Sequence, residues 1–87
     1  MRPVVVLTRQ RVASRLARVL VAPITTTVRG LATEVPLGST EGVREGSVAS
    51  LDNIQLVPTS CLLRRAGRVA PERWPEFCAA MAKVMAC

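Results

Sequence analysis

Two apolar, β-branched segments near the amino terminus most constrain how this chain can fold. The first covers residues 3–8 and the second covers residues 17–26. Both have the composition and length of strands. If they pair antiparallel about a turn centred near residue 13, the residue numbers of opposed positions sum to about 27. That register predicts that Arg2 faces Thr25 across the ladder, where cross-strand neighbours lie about 5 Å apart.

The stretch between these strands is basic, and its periodicity is ambiguous. Val12, Leu16, Val19 and Leu20 fit one face of a helix, whereas the run that follows, from Leu20, fits a strand better. We interpret residues 10–15 as a loop or a single helical turn. The arginines here are expected to form a mobile, phosphate-attracting loop; they are Arg9, Arg11, Arg15 and Arg18.

The middle of the chain predicts further short strands separated by glycine-rich or polar turns. Three glycines indicate a loop over residues 38–46, and the sequence Pro-Thr-Ser indicates a turn over residues 58–60. The predicted strands are 32–37, 47–52 with a continuation over 54–57 past a bend at Asn53, and 62–69 around Gly67.

The carboxyl-terminal part predicts one helix. Pro71 suits the first helical position and Glu72 suits the positive end of the helix dipole. Apolar residues then recur at helical spacing, which indicates a face for core or dimer packing: Trp74, Phe77, Cys78, Met81, Val84 and Met85. Several short strands followed by one helix predict a single α+β domain over residues 1–87. It would be mainly an antiparallel β-sheet, strongly bent or closed into a partial barrel.

Charge and composition narrow the class of partner. The chain carries 12 basic against 6 acidic residues, and all but one of the basic residues are arginine. Arginine matches phosphate oxygens bidentately, so the excess indicates an anionic partner, although a GC-rich genome enriches arginine as well. Aromatic residues make up only 2% of the chain, which argues against a stacking platform for bases.

The cysteines and the absence of histidine limit the metal sites and disulfide bonds that the chain can form. Three scattered cysteines without a CxxC spacing, and no histidine, make a zinc site or a disulfide framework improbable. We therefore expect no metal and no cofactor, and free thiols in a reducing cytoplasm. No signal peptide is expected, because the apolar run after Arg2 stops at Thr8. No membrane-spanning segment is expected either, because no apolar stretch approaches the roughly 20 residues that a span needs.

A colinear set of short motifs resembles the MazF/PemK family of toxin endoribonucleases. The resemblance spans almost the whole chain and looks closest to the mycobacterial branch. The motifs are residues 2–7 (Arg-Pro-Val-Val-Val-Leu), 21–25 (Val-Ala-Pro-Ile-Thr), 27–31 (Thr-Val-Arg-Gly-Leu), 33–35, 47–48, 52–54, 67–69 and 71–73.

The resemblance implies a fold, an activity and partners. The fold would be a small SH3-like barrel of the MazF/CcdB type with a carboxyl-terminal helix, assembled as a homodimer. The activity would be sequence-specific, metal-independent cleavage of single-stranded RNA by the toxin of a type II toxin–antitoxin system. The substrate would be mRNA, with rRNA or tRNA as alternatives. A MazE-like antitoxin would be the protein partner.

The family's arginine and threonine map to Arg2 and Thr25, which the resemblance implies are catalytic. RNA is cut when its own 2′-hydroxyl attacks the adjacent phosphorus, so the site must accept that proton, stabilise charge on phosphorus and protonate the leaving oxygen. An arginine fork and a threonine hydroxyl can stabilise the charge, and the arginine also supplies a donor near the leaving oxygen, but its high pKa makes it a poor base. The accompanying RNA-binding candidates are Arg9, Arg11, Arg15, Thr26, Thr27, Arg29 and Asp52. Glu34 is expected at the surface.

The chain also departs from the family pattern. The usual first strand and its Gly-Ser-Glu loop have no counterpart before Arg2, and the Glu/Asp-Gln-Ile-Arg motif reads Asp52-Asn53-Ile54-Gln55. We expect the chain without that strand to be poorly soluble and weakly active. Two alternatives stay open: a non-catalytic barrel toxin of the gyrase-poison type, and a decayed toxin that only binds antitoxin.

Overall fold

In the part of the chain that the structure describes, the fold is built from five short strands and one helix. The computed structural model describes residues 3–8, 15, 17–62 and 65–85. Single 3₁₀ turns lie at Ser39–Glu41, Leu51–Asn53, Thr59–Cys61 and Pro71–Arg73. The strands are β1 (Val4–Val6), β2 (Arg18–Thr25), β3 (Glu34–Leu37), β4 (Ser47–Ser50) and β5 (Gln55–Pro58), and the helix is α1 (Trp74–Val84).

The predicted hairpin register is confirmed where β1 is described. Val4 lies opposite Pro23 and Val6 opposite Val21, so opposed positions sum to 27. The Pro3 carbonyl also accepts the Ile24 N–H at 3.1 Å, which carries the same register one residue further. Arg2 itself lies outside the described residues, as does most of the predicted 10–15 loop.

β2 organises the sheet because it pairs along both edges. β1 lies on one edge, and β5 and β4 follow one another along the other. The predicted continuation of one strand through a bend at Asn53 is wrong, since the turn Leu51–Asn53 separates β4 from β5. Leu51 has no exposed surface, and burying its side chain favours this turn over a straight strand.

The connection from β2 to β3 crosses the sheet. Both β2 and β3 pair antiparallel with β4, one on each side, so they run parallel to each other. β2 ends beside Val48, whereas β3 begins beside Ser50. Residues 26–33 therefore pass over β4 to reach the far side, and we call this segment the crossover loop.

The core lies between α1 and one face of the sheet. Phe77 and Ala80 are the buried helix residues, with Trp74 and Met81 packed against them. The sheet contributes Val5, Ala22, Val35, Leu37 and Ala49, and the turn after β4 contributes Leu51.

The predicted apolar helix face is only partly correct. Cys78 is exposed, and the side chains at the end of the helix, Val84 and Met85, are 42% and 63% exposed. Ala80, which the apolar pattern omits, is buried in their place. The sheet is short, so it covers only the first turns of α1.

The predicted strand over residues 62–69 is wrong in the part of the chain that the structure describes. Residues 65–70 form no regular element. Instead, Gly67 crosses Gly42 at backbone distance: a Cβ at Gly67 would collide with the Glu41 carbonyl, and one at Gly42 with the Ala66 carbonyl. Gly42 also has a φ of 84°, which disfavours a side chain. Within the described ranges, no helix is both long and apolar enough to cross a membrane.

Candidate functional site

Thr25 lies at the end of β2, where the sheet gives way to the crossover loop. Its Oγ1 accepts the N–H of Thr27 at 3.0 Å. Since the hydroxyl oxygen already accepts this bond, the hydroxyl proton is left to donate to another group. Thr25 is half-buried, while Thr26 and Thr27 are exposed.

The pairing places Thr25 on the sheet face that α1 does not cover. Directly opposed residues share a face, as do residues two apart in a strand. Thr25 opposes Val48, and Ser50 opposes Glu34. These four side chains therefore share one face, whereas Ala49 packs into the core under α1.

Arg29 from the crossover loop is bound over this face by an acidic partner. One terminal nitrogen of its guanidinium donates to both carboxylate oxygens of Asp52, at 2.9 and 3.0 Å, and to the Ser50 hydroxyl at 3.2 Å. Asp52 also accepts the Ser50 hydroxyl at 2.6 Å. That bond, and after it the contact with Arg29, lowers the pKa of Asp52 below its usual range. The Asp52 contact in turn raises the pKa of Arg29.

Glu34 is not at the surface, contrary to expectation. Its side chain is only 3% exposed, and its carboxylate accepts the backbone N–H groups of Arg29, at 3.1 Å, and Leu31, at 3.0 Å. The Leu31 bond is the main reason that the pKa of Glu34 is lowered. A carboxylate can be buried here because the loop backbone supplies the hydrogen bonds that water would otherwise make.

The structure therefore gathers some of the predicted site residues. Thr25, Arg29 and Asp52 lie on or over one face of the sheet. Arg15 is exposed in a turn before β2, and no described contact joins it to this face. Arg2, Arg9 and Arg11 lie outside the described residues.

The sequence did not identify Ser50 and Glu34 as members of the group of residues that contact Arg29. Nothing in a strand sequence such as Ser-Val-Ala-Ser marks Ser50 as the ligand of an arginine 21 residues earlier. Glu34 carried a usable signal, since an acidic residue that follows Arg29-Gly30-Leu31 can cap the turn those residues form.

A second polar cluster lies at the other end of β3 and serves the fold. Arg73 contacts Glu76 at 2.6 Å, Glu41 at 3.3 Å and the Pro36 carbonyl at 2.8 Å, which fastens the start of α1 to the sheet. The shallow groove beside it carries Glu41 and Glu45, so it is unsuited to a polyanion. In the part of the chain that the structure describes, no three acidic, cysteine or histidine side chains are grouped to hold a metal ion.

Comparison with known proteins gives concordant results. The chain is 48% identical over 80 residues to the endoribonuclease MazF3 of Mycobacterium tuberculosis, covering 92% of this chain and 78% of that protein. The solved structure of the M. tuberculosis toxin MazF-mt6 superposes with a TM-score of 0.90 at 46% identity, over 95% of this chain and 84% of that one.

A mycobacterial endoribonuclease solved with its cognate antitoxin has a TM-score of 0.81 at 24% identity, over 95% and 79% of the two chains, and shows the shared fold. These structures confirm the predicted fold class, an antiparallel sheet with one carboxyl-terminal helix. The family described as the PemK-like, MazF-like toxin of type II toxin–antitoxin systems matches residues 1–85. The chain belongs to this family.

Proposed function

We propose that this chain is the toxin of a type II toxin–antitoxin pair and cleaves single-stranded RNA at specific sequences. Its family membership and its relatives named as endoribonucleases support this function. The same relatives give no support to the gyrase-poison alternative. The proposed setting is the cytoplasm, where mRNA is the substrate and loss of translation stops growth.

The proposed reaction is an intramolecular transfer on the RNA. The 2′-oxygen attacks the neighbouring phosphorus and loses its proton, and the bond from phosphorus to the 5′-oxygen breaks. The departing 5′-oxygen takes up a proton. The products are a 2′,3′-cyclic phosphate and a 5′-hydroxyl. The nucleophile belongs to the substrate, so the reaction as written uses no metal-bound water.

The observation that carries this proposal is the placement of Thr25. Its hydroxyl lies at a strand end on the face free of α1, with its oxygen already bonded to Thr27. A donor in this position can bond a non-bridging phosphate oxygen as charge develops, which is worth about 3–4 kcal/mol in the transition state.

We assign the charge-stabilising cation to Arg2. The β1–β2 register of 27, followed as far as the Pro3 carbonyl, supports placing Arg2 opposite Thr25. Arginine rather than histidine would then neutralise the phosphorane, and its remaining N–H groups would reach the leaving oxygen.

The other candidates are proposed as RNA contacts. The charge of Arg29 is already paired with Asp52 while 46% of its side chain is exposed, so we assign this pair to contacts with a base or a sugar more than with a phosphate. The exposed Thr26 and Thr27 would contact the backbone of the RNA. The basic residues before β2, namely Arg9, Arg11 and Arg15, would attract the RNA electrostatically.

The test is cleavage of a defined single-stranded RNA by the purified protein in the presence of EDTA. We expect cuts at one recurring sequence, products with cyclic phosphate and 5′-hydroxyl ends, and inhibition by the cognate antitoxin. Products with 5′-phosphate ends would overturn the proposed chemistry. Binding of antitoxin without any cleavage would favour the decayed-toxin alternative.

A further inference from the structure

The crossover loop is held in place by charge and hydrogen bonding, with little help from apolar packing. Its two large apolar side chains, Val28 and Leu31, are 55% and 43% exposed. The contacts that fix the loop pass instead through Glu34, which accepts two loop N–H groups, and through the Arg29 side chain on Asp52 and Ser50.

Glu34 connects this loop to the strand end that bears Thr25. Glu34 is the first residue of β3, and its own N–H donates to the Leu31 carbonyl at 3.1 Å. The end of the loop next to β3 is therefore held both by the side chain and by the backbone of Glu34. The near end is closed by the Thr27 N–H on the Thr25 hydroxyl. Only one residue, Val28, separates the two closed ends. A displacement of the loop at Arg29 is therefore transmitted through one residue of backbone to the Thr27 N–H, and so to the Thr25 hydroxyl.

We infer that Glu34 is a positioning residue for RNA cleavage: its buried carboxylate fixes the crossover loop so that Thr27 orients the Thr25 hydroxyl toward the substrate. This inference rests on the proposed function and deepens it. Glu34 does not touch the RNA. It acts through the backbone N–H groups of Arg29 and Leu31 and through an ion pair with the Arg29 side chain, whose Nε lies 3.6 Å from the carboxylate.

The test compares two variants that remove the same kind of anchor from two different loops. Glu34→Gln keeps the shape of the side chain but lacks the charge, and one carboxylate acceptor becomes a donor facing the loop N–H groups. Glu45→Gln is the matched control, because Glu45 also accepts a backbone N–H and a hydroxyl, both from Ser39, in the loop between β3 and β4. Each variant is measured for its thermal midpoint and for kcat and KM on one fluorescent RNA oligonucleotide.

For Glu34→Gln we expect kcat to fall about 10- to 100-fold with KM within about threefold, as small displacements of a positioned group do. Glu45→Gln should lower the thermal midpoint by a similar amount and leave kcat within about twofold. The double variant Thr25→Ala/Glu34→Gln should be no slower than Thr25→Ala alone, because the second change acts through a hydroxyl that is already absent.

The outcomes separate this inference from the proposed function. A wild-type protein that leaves every RNA intact overturns both. A wild-type protein that cleaves RNA, with Glu34→Gln no slower than Glu45→Gln, overturns the inference alone and leaves Glu34 as a fold anchor. Additive losses of kcat in the double variant would also overturn the inference, because Glu34 would then act independently of the Thr25 hydroxyl.

Discussion

Among single side chains, Thr25 differs from the two threonines that follow it. Its hydroxyl oxygen is bonded within the protein, whereas Thr26 and Thr27 are exposed and their side chains share no described bond. A hydroxyl with a fixed direction is a better electrostatic catalyst than a freely rotating one, because it needs no reorganisation as charge develops.

We expect Thr25→Ala and Arg2→Ala each to lower RNA cleavage by about 100- to 1,000-fold, the range found when one charge-stabilising donor is removed. Binding of the antitoxin should be retained in both. Thr40→Ala, at an exposed position in another loop, is the control and should keep full activity. Single-turnover cleavage of one RNA oligonucleotide measures the effect, and near-wild-type rates for Arg2→Ala would remove that residue from the reaction.

The two carboxylates at the site predict how stability depends on pH. The pKa values of Glu34 and Asp52 are lowered in the folded state, so each contributes stability above its ordinary pKa of about 4. That contribution is lost as the pH falls through the folded pKa values, where protonation releases the loop N–H groups and Arg29. We expect the thermal midpoint to drop below about pH 4 and to drop less steeply in Glu34→Gln. Identical pH profiles for the two proteins would contradict this role of Glu34.

Among the secondary-structure elements, the pairing of β1 with β2 could be predicted and the course of residues 62–69 could not. The hairpin register follows from local facts, namely two β-branched runs and the length of chain between them. The path around Gly67 depends on a crossing with Gly42, a contact distant in sequence that no local pattern reports. Glu34 was misplaced for the same reason, because the burial of its carboxylate depends on how the crossover loop folds over it.

The glycine crossing gives a prediction of its own. Gly67→Ala should destabilise the fold by about 1–3 kcal/mol, since the added methyl group collides with backbone that cannot move aside freely. Gly46→Ala is the comparison, because Gly46 has open space but a φ of 81° and so incurs only the backbone strain of about 1–2 kcal/mol. Denaturant unfolding would measure both, and a Gly67→Ala protein as stable as wild type would show that the crossing can relax.

At the scale of the whole molecule, uncovered apolar surface lies on the sheet and at the end of the helix, while the first part of the helix stripe is covered within the chain. Phe77 is fully buried within the chain, and Trp74 and Met81 pack against the same core. Leu20 and Leu56 oppose each other on β2 and β5 and are 44% and 58% exposed.

We expect a homodimer in solution that depends on this leucine pair. Leu56→Glu places a charge in the apolar surface that Leu20 and Leu56 would bury in the dimer. Burying an unpaired charge is unfavourable, so this variant should shift the protein toward monomer at micromolar concentration. Gln55→Glu adds the same charge on the opposite face of β5 and serves as the control. Light scattering distinguishes the two, and a wild-type protein that is monomeric at micromolar concentration would rule out the dimer.

The way the crossover loop is fastened has a consequence for how such a chain can diversify. Val28 and Leu31 belong to a segment whose shape is set by main-chain bonds and by two charged neighbours, and about half of each residue is exposed. Substitution there costs less stability than substitution of a fully buried residue, while the scaffold beneath stays constant. Descendants of one ancestral gene could therefore acquire different surfaces beside the same threonine without first acquiring extra stability to tolerate the change.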